Sequence, residues 1–155
     1  MKYLLIALLL ITAPAHAKWR YSKAVDQMTD EVRHSLRVSS TAYDYGMSLG
    51  CDTAWIGKGG YGRMLSGAVT FRFGKEKANN QQWSGGDDSI ITSENDDYQW
   101  LIENMKRGLP MKARFDETYG TWENLNTGKA SKRDKKELDK FLAACTQQAF
   151  LDELE

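Results

Sequence analysis

The sequence predicts an α+β fold class, mainly an antiparallel β-sheet or sandwich with a C-terminal helix and one disulfide. Three observations carry this expectation. Polarity alternates along residues 32–39, 43–52 and 65–73, and side chains two apart share one face of a strand. Leu138, Phe141, Leu142 and Cys145 stand at i, i+3, i+4 and i+7, which makes one apolar helical stripe. The chain holds two cysteines, Cys51 and Cys145, so one intramolecular pairing is possible.

Residues 1–17 read as a secretory signal peptide. Met1 and Lys2 give a short positive start, YLLIALLLI follows at residues 3–11, and Ala15-His16-Ala17 is an A-x-A cleavage site. The apolar run is too short to span a bilayer. No cysteine follows it closely, as a lipoprotein would need. Cleavage after Ala17 would leave residues 18–155 as a single exported β-rich domain, periplasmic or secreted, with no stable membrane insertion. Lysine plus arginine and aspartate plus glutamate each number 21. That balance lacks the basic excess of a nucleic-acid binder. Residues 132–136 are locally basic, but acids interleave and follow them, as on a solvated helix face.

Along the exported part, residues 19–24 read as a first strand and residues 26–30 (DQMTD) as a turn. Val32, His34, Leu36 and Val38 then alternate with Glu31, Arg33, Ser35, Arg37 and Ser39. A helical face through Val25, Met28, Val32 and Leu36 competes, and the β-rich stretch that follows favours the strand. Tyr43, Tyr45, Met47, Leu49 and Cys51 form the clearest alternation. After a glycine cluster, Leu65, Gly67, Val69, Phe71 and Phe73 alternate again. Two strands about a glycine-rich tip predict a β-hairpin. Residues 74–88 are polar and read as a loop or loose hairpin end, and residues 89–92 as a short strand. Residues 93–97 cap a helix through Trp100, Leu101 and Met105, with Gly108 as its stop. Residues 111–115 and 119–125 predict two more strands, and residues 126–130 a break. Ser131 caps the last helix, with Asp134 three residues on beside the positive helix end.

In an exported protein an even cysteine count reads as a disulfide. Cys145 lies on the helical stripe and Cys51 in the apolar row of its strand, so the bond would staple the helix to the sheet. It would close a loop of roughly 90 residues, worth about 4–5 kcal/mol by chain entropy. Two thiols alone do not make a zinc site, which takes four ligands.

Two glycine patterns invite functional readings, and neither has the context it needs. Gly46-Met47-Ser48-Leu49-Gly50 matches G-x-S-x-G, but a nucleophile elbow turns from a strand into a helix. Ser48 falls mid-strand, and His34 precedes it rather than following. Gly46 and Gly50 read instead as room for something packing on that face. Gly57-Lys58-Gly59-Gly60-Tyr61-Gly62 matches G-x-G-x-x-G, yet a strand follows where a dinucleotide site needs a helix. His34 reads as a strand residue. No metal or cofactor is expected. Asp87, Asp88, Glu94, Asp96 and Asp97 cluster near Trp83 and Trp100. They read as a solvated acidic loop, with a sugar site or a calcium site as outsiders.

The order of elements carries a resemblance. Trp19, the DQMTD turn, Leu49-Gly50-Cys51, Val69-Thr70-Phe71-Arg72-Phe73, Trp83, the amphipathic piece 100–105, Arg114-Phe115 and the closing helix with Cys145 follow one another. This series resembles the VasI/TagO-type accessory proteins associated with type VI secretion. Residues 122–128 (WENLNTG) depart from the phenylalanine–glycine motif common in that family. The resemblance implies a small envelope protein without known catalysis.

The expected function is a non-enzymatic periplasmic or secreted binding protein, a type VI secretion accessory whose partner is an envelope or secretion-apparatus protein. The expected contact surface is Trp83, Asp87, Asp88, Asp96, Asp97 and Trp100, because exposed aromatics ringed by polar groups serve partner sites. Core burial of both tryptophans competes with this, and is favoured for Trp100. Two alternatives remain. One is an inhibitor of an envelope enzyme such as lysozyme, presenting residues 57–62. The other is a carbohydrate-binding or carbohydrate-acting protein using the acidic cluster.

Overall fold

The computed structural model describes residues 18–40, 45–58, 67–85, 89–91, 95–116 and 122–152. Strands β1 (Lys18–Val25) and β2 (Val32–Ser39) form a hairpin. Its turn is closed by Asp26 N donating to Glu31 O at 2.9 Å and Asp30 N to Asp26 O at 2.8 Å. The Asp26 carboxylate also accepts from Met28 N at 2.9 Å, the local bond that suits aspartate to turns. Strands β3 (Tyr45–Leu49) and β4 (Ala54–Lys58) form a second hairpin, turned where Gly50 N donates to Thr53 O at 2.8 Å.

Then come β5 (Gly67–Phe73), β6 (Asn79–Gly85), β7 (Ser89–Ile91), helix α1 (Asn95–Lys106), β8 (Met111–Asp116), β9 (Trp122–Asn126) and helix α2 (Lys132–Asp152). Among the described residues every strand pairing is antiparallel, in the order β1-β2-β3-β4-β7-β6-β5-β8-β9. The strands fall into two sheets, β1-β2-β3-β4-β7 and β6-β5-β8-β9. A short ladder joins them, Ser84 opposite Ile91 and Gly85 opposite Ile90. The α+β class, the closing helix and the disulfide thus stand as the sequence predicts.

Register explains the core. Trp19 lies opposite Val38, Val38 opposite Met47, and Met47 opposite Ile56, so one apolar row crosses four strands. A second row runs Tyr21, Leu36, Leu49, Ala54. In the other sheet Phe71 faces Ala113 and Ala113 faces Leu125. A one-residue slip would turn each of these rows to solvent, which is what pins the pairing. Helix α1 buries Tyr98, Leu101, Ile102 and Met105, and α2 buries Leu138 and Phe141. The sheets meet where β9 reaches β3 and the Ser40 hydroxyl donates to Asn126 O at 3.2 Å.

Both helices begin and end for local reasons. Gly108 stops α1 with φ +70°, its N–H donating to Met105 O at 2.8 Å, the left-handed end that glycine adopts without strain. Ser131 and Asp134 cap α2 reciprocally: Asp134 N donates to Ser131 Oγ at 3.2 Å, and Ser131 N to Asp134 Oδ2 at 2.8 Å. Asp134 is 4 % exposed, and its other oxygen accepts from Trp19 N at 3.0 Å.

Two expectations need correction. The strand 43–52 does not hairpin with the strand 65–73. β3 pairs with β4, whose last residues Gly57 and Lys58 begin the expected glycine-rich tip, while β5 pairs with β6 and β8. Residues 59–66, most of that tip, lie outside the described residues. Nor are residues 74–88 a loop, because β6 occupies residues 79–85. Its sequence NNQQWSG hides the alternation, since the inward row is Gln81 and Trp83. Gln81 is buried because it accepts the Trp83 indole N–H at 3.0 Å.

Candidate functional site

The Cys51–Cys145 disulfide joins the β3–β4 turn to the middle of α2 across a separation of 94 residues. Cys51 is exposed and lies beyond the end of β3, not within its apolar row as expected; Cys145 is half-buried. The bond lines a groove of about 940 Å³. One wall is α1, through Tyr98, Gln99, Ile102 and Lys106. The facing wall is the later part of α2, through Leu142, Thr146 and Gln148. The start of β2 contributes Arg33 and His34, and the β3–β4 hairpin contributes Asp52 and Trp55.

Trp55 owes its place to a glycine. A Cβ on Gly50 would stand 2.7 Å from Trp55 Cη2, closer than such atoms approach. The room foreseen at Gly50 is therefore filled by this indole. Trp55 remains half-exposed, and its N–H has no hydrogen-bond partner among the described residues. Gly50 is fixed from below as well, where the buried Tyr98 hydroxyl donates to Gly50 O at 2.6 Å. Burial raises the Tyr98 phenol well above its ordinary value, and the nearby Asp52 charge raises it further.

The charges in the groove balance. Arg33 pairs with Glu31 at 2.9 Å and reaches Asp26 at 3.8 Å. Asp52 and Lys106 supply one charge of each sign and have no ion-pair partner among the described residues. His34 Nδ1 lies 2.9 Å from the Tyr21 hydroxyl, with the two rings stacked at 6.0 Å. Ser48 sits mid-strand, opposite Arg37 and Trp55. Both cysteines are spent in the disulfide. Among the described residues no three His, Cys, Asp or Glu side chains are placed to hold a metal ion.

The expected contact surface does not form as one patch. Trp83 is 2 % exposed, facing Gly67 in register and packed on Phe71 at 5.4 Å. It is core, and it cannot be presented to a partner. Trp100 is half-buried, edge-on to Phe73 at 5.6 Å. Asp96 is exposed and Asp97 half-buried in the first turn of α1, where carboxylates favour the positive helix end. Asp87 and Asp88 lie outside the described residues. Trp100 instead borders a polar depression of about 540 Å³ with Glu76, Asn79 and Arg107. There the Arg107 guanidinium bonds Glu76 and holds its carboxyl below the usual range.

Trp55, Tyr98 and Gly50 form one unit that the sequence does not mark as such. A signal was present: AWIGK alternates from Ala54, three residues after Cys51, which marks Trp55 as the outward member of a short strand. No protein-family model, curated protein or solved structure matches the chain.

Proposed function

We propose that the protein is a non-enzymatic binding protein of the cell envelope, exported and serving as an accessory to a secretion apparatus. Its recognition surface is the groove over the disulfide. The observation that carries the reading is the groove's construction. A half-exposed tryptophan and several polar groups without a hydrogen-bond partner among the described residues face a space of about 940 Å³, within the range of ligand sites. A covalent bond between two distant segments holds its walls. A disulfide suits an oxidising compartment, and among the described residues no helix is long and apolar enough to cross a membrane.

Photo-cross-linking side chains test this in the native host. Placed at Lys106 on α1 or Gln148 on α2, they should capture envelope material; placed at exposed Lys23 on β1 they should not. Equal capture at all three positions, or none at the groove positions, would overturn the reading. Secretion-apparatus components in the adduct support the accessory role, whereas a wall hydrolase would replace it with inhibition.

A further inference from the structure

We propose that this groove binds a neutral saccharide, such as a short stretch of glycan. The proposal rests on the groove being the recognition surface, and it names the ligand's chemistry.

Three features point the same way. The first is aromatic. A pyranose ring presents a face of C–H groups that lies flat on an aromatic ring. Trp55 offers a large indole at low entropic cost, since it turns about only two bonds. The indole lies close over Gly50, where an added Cβ would stand 3.1 Å from Cζ3.

The second is hydrogen bonding. The Trp55 N–H and the Lys106 ammonium only donate, the Asp52 carboxylate only accepts, and the Gln148 amide does both. None of these four groups has a hydrogen-bond partner among the described residues, and all four residues line the groove. Sugar hydroxyls donate and accept, so one polyol can satisfy all of them. A purely anionic ligand would leave Asp52 opposed, and an apolar ligand would leave every one unpaired at a desolvation cost.

The third is charge. Glu31 and Arg33 already neutralise each other, leaving Asp52 against Lys106. Among the described residues the groove has no cationic cluster of the kind that phosphate or sulfate recognition uses. A net field near zero selects for a neutral ligand.

The test is a titration of the oxidised, full exported chain with neutral oligosaccharides, chitotriose, cellotriose and maltotriose. The indole N–H resonances are followed by NMR, with the Trp55 signal assigned from Trp55→Phe. At least one sugar should shift the Trp55 resonance saturably, with a dissociation constant on the order of 0.1–1 mM. Raising salt should leave the affinity unchanged, because no net charge is neutralised. Read by titration calorimetry, because neither variant carries the Trp55 resonance, Trp55→Ala should weaken binding about tenfold or more, and Trp55→Phe only a few-fold, since the aromatic face is kept. Both variants must keep the wild-type melting profile to count.

Binding that disappears at high salt, or that survives Trp55→Ala, would overturn the proposal. So would the absence of any shift with all three sugars. If no sugar binds while Lys106 and Gln148 still cross-link in cells, the saccharide assignment fails and the groove stands. If neither occurs, both readings fall.

Discussion

Removing the disulfide should cost more than any other change outside the core. Cys51→Ser together with Cys145→Ser opens a loop spanning 94 residues. A cross-link of that span takes about 15.6 cal/mol/K of entropy from the denatured chain, or about 4.7 kcal/mol at 25 °C. Cys51 is exposed, so serine there adds little packing loss; Cys145 is half-buried and adds some. A domain of about 140 residues unfolds with an entropy near 0.29 kcal/mol/K, so the melting temperature should fall by roughly 16 °C. The assay is thermal and urea unfolding of the oxidised wild type and the double variant, read by tryptophan fluorescence and circular dichroism. Thiol titration confirms that the wild type is oxidised. The urea m-value should rise in the variant, because its denatured state is no longer cross-linked and exposes more surface. A melting shift below about 5 °C with an unchanged m-value would refute the entropic account of this bond.

Gly50→Ala should destabilise by about 1–3 kcal/mol through overpacking against Trp55, with a red-shifted emission marking the displaced indole. Tyr98→Phe removes the 2.6 Å bond to Gly50 O and should cost about 1–2 kcal/mol in urea at pH 7. The folded-state pKa of Tyr98 is raised above its unfolded value near 10. The unfolded chain therefore ionises first as pH rises, and stability present below about pH 10 is lost above it. Tyr98→Phe should accordingly be closest to wild type at high pH, which unfolding midpoints between pH 7 and 11 would check. Asp134→Ala strands the donors Trp19 N, Ser131 N and Ser131 Oγ. It should lower stability by about 2–3 kcal/mol, visible as a shifted urea midpoint, with Asp134→Asn falling between.

The legible parts of the fold were those whose physics is local. Val32 to Val38 alternate in polarity, Ser131 and Asp134 announce a helix start, and Gly108 marks a helix end. Each signal needs only a few neighbouring residues. β6 was illegible because its inward row holds Gln81, whose burial depends on the Trp83 indole. β4 was illegible because its five residues merge into a glycine cluster that looked like a tip. The groove was the least legible element. Trp55, Tyr98 and Gln148 lie far apart in the chain and come together only when both helices dock. The acidic cluster stood out by proximity in sequence, but Asp96 and Asp97 serve the first turn of a helix, and Trp83 points into the core.

The last helix secures the first strand. Trp19 N donates to Asp134 and Tyr21 N to Glu137, at separations of 115 and 116 residues. Those two N–H groups lie on the outer side of β1, the terminal strand of its sheet. Uncovered, they would offer a template for another chain to pair with. A chain threaded through a pore with its N-terminus leading presents β1 first and the carboxylates that cover it last. For that interval the strand edge stays open, and it closes only when α2 arrives. If this chain is exported in that way, the time spent crossing sets how long it is vulnerable to association, and a slower passage should call for a chaperone at the exit.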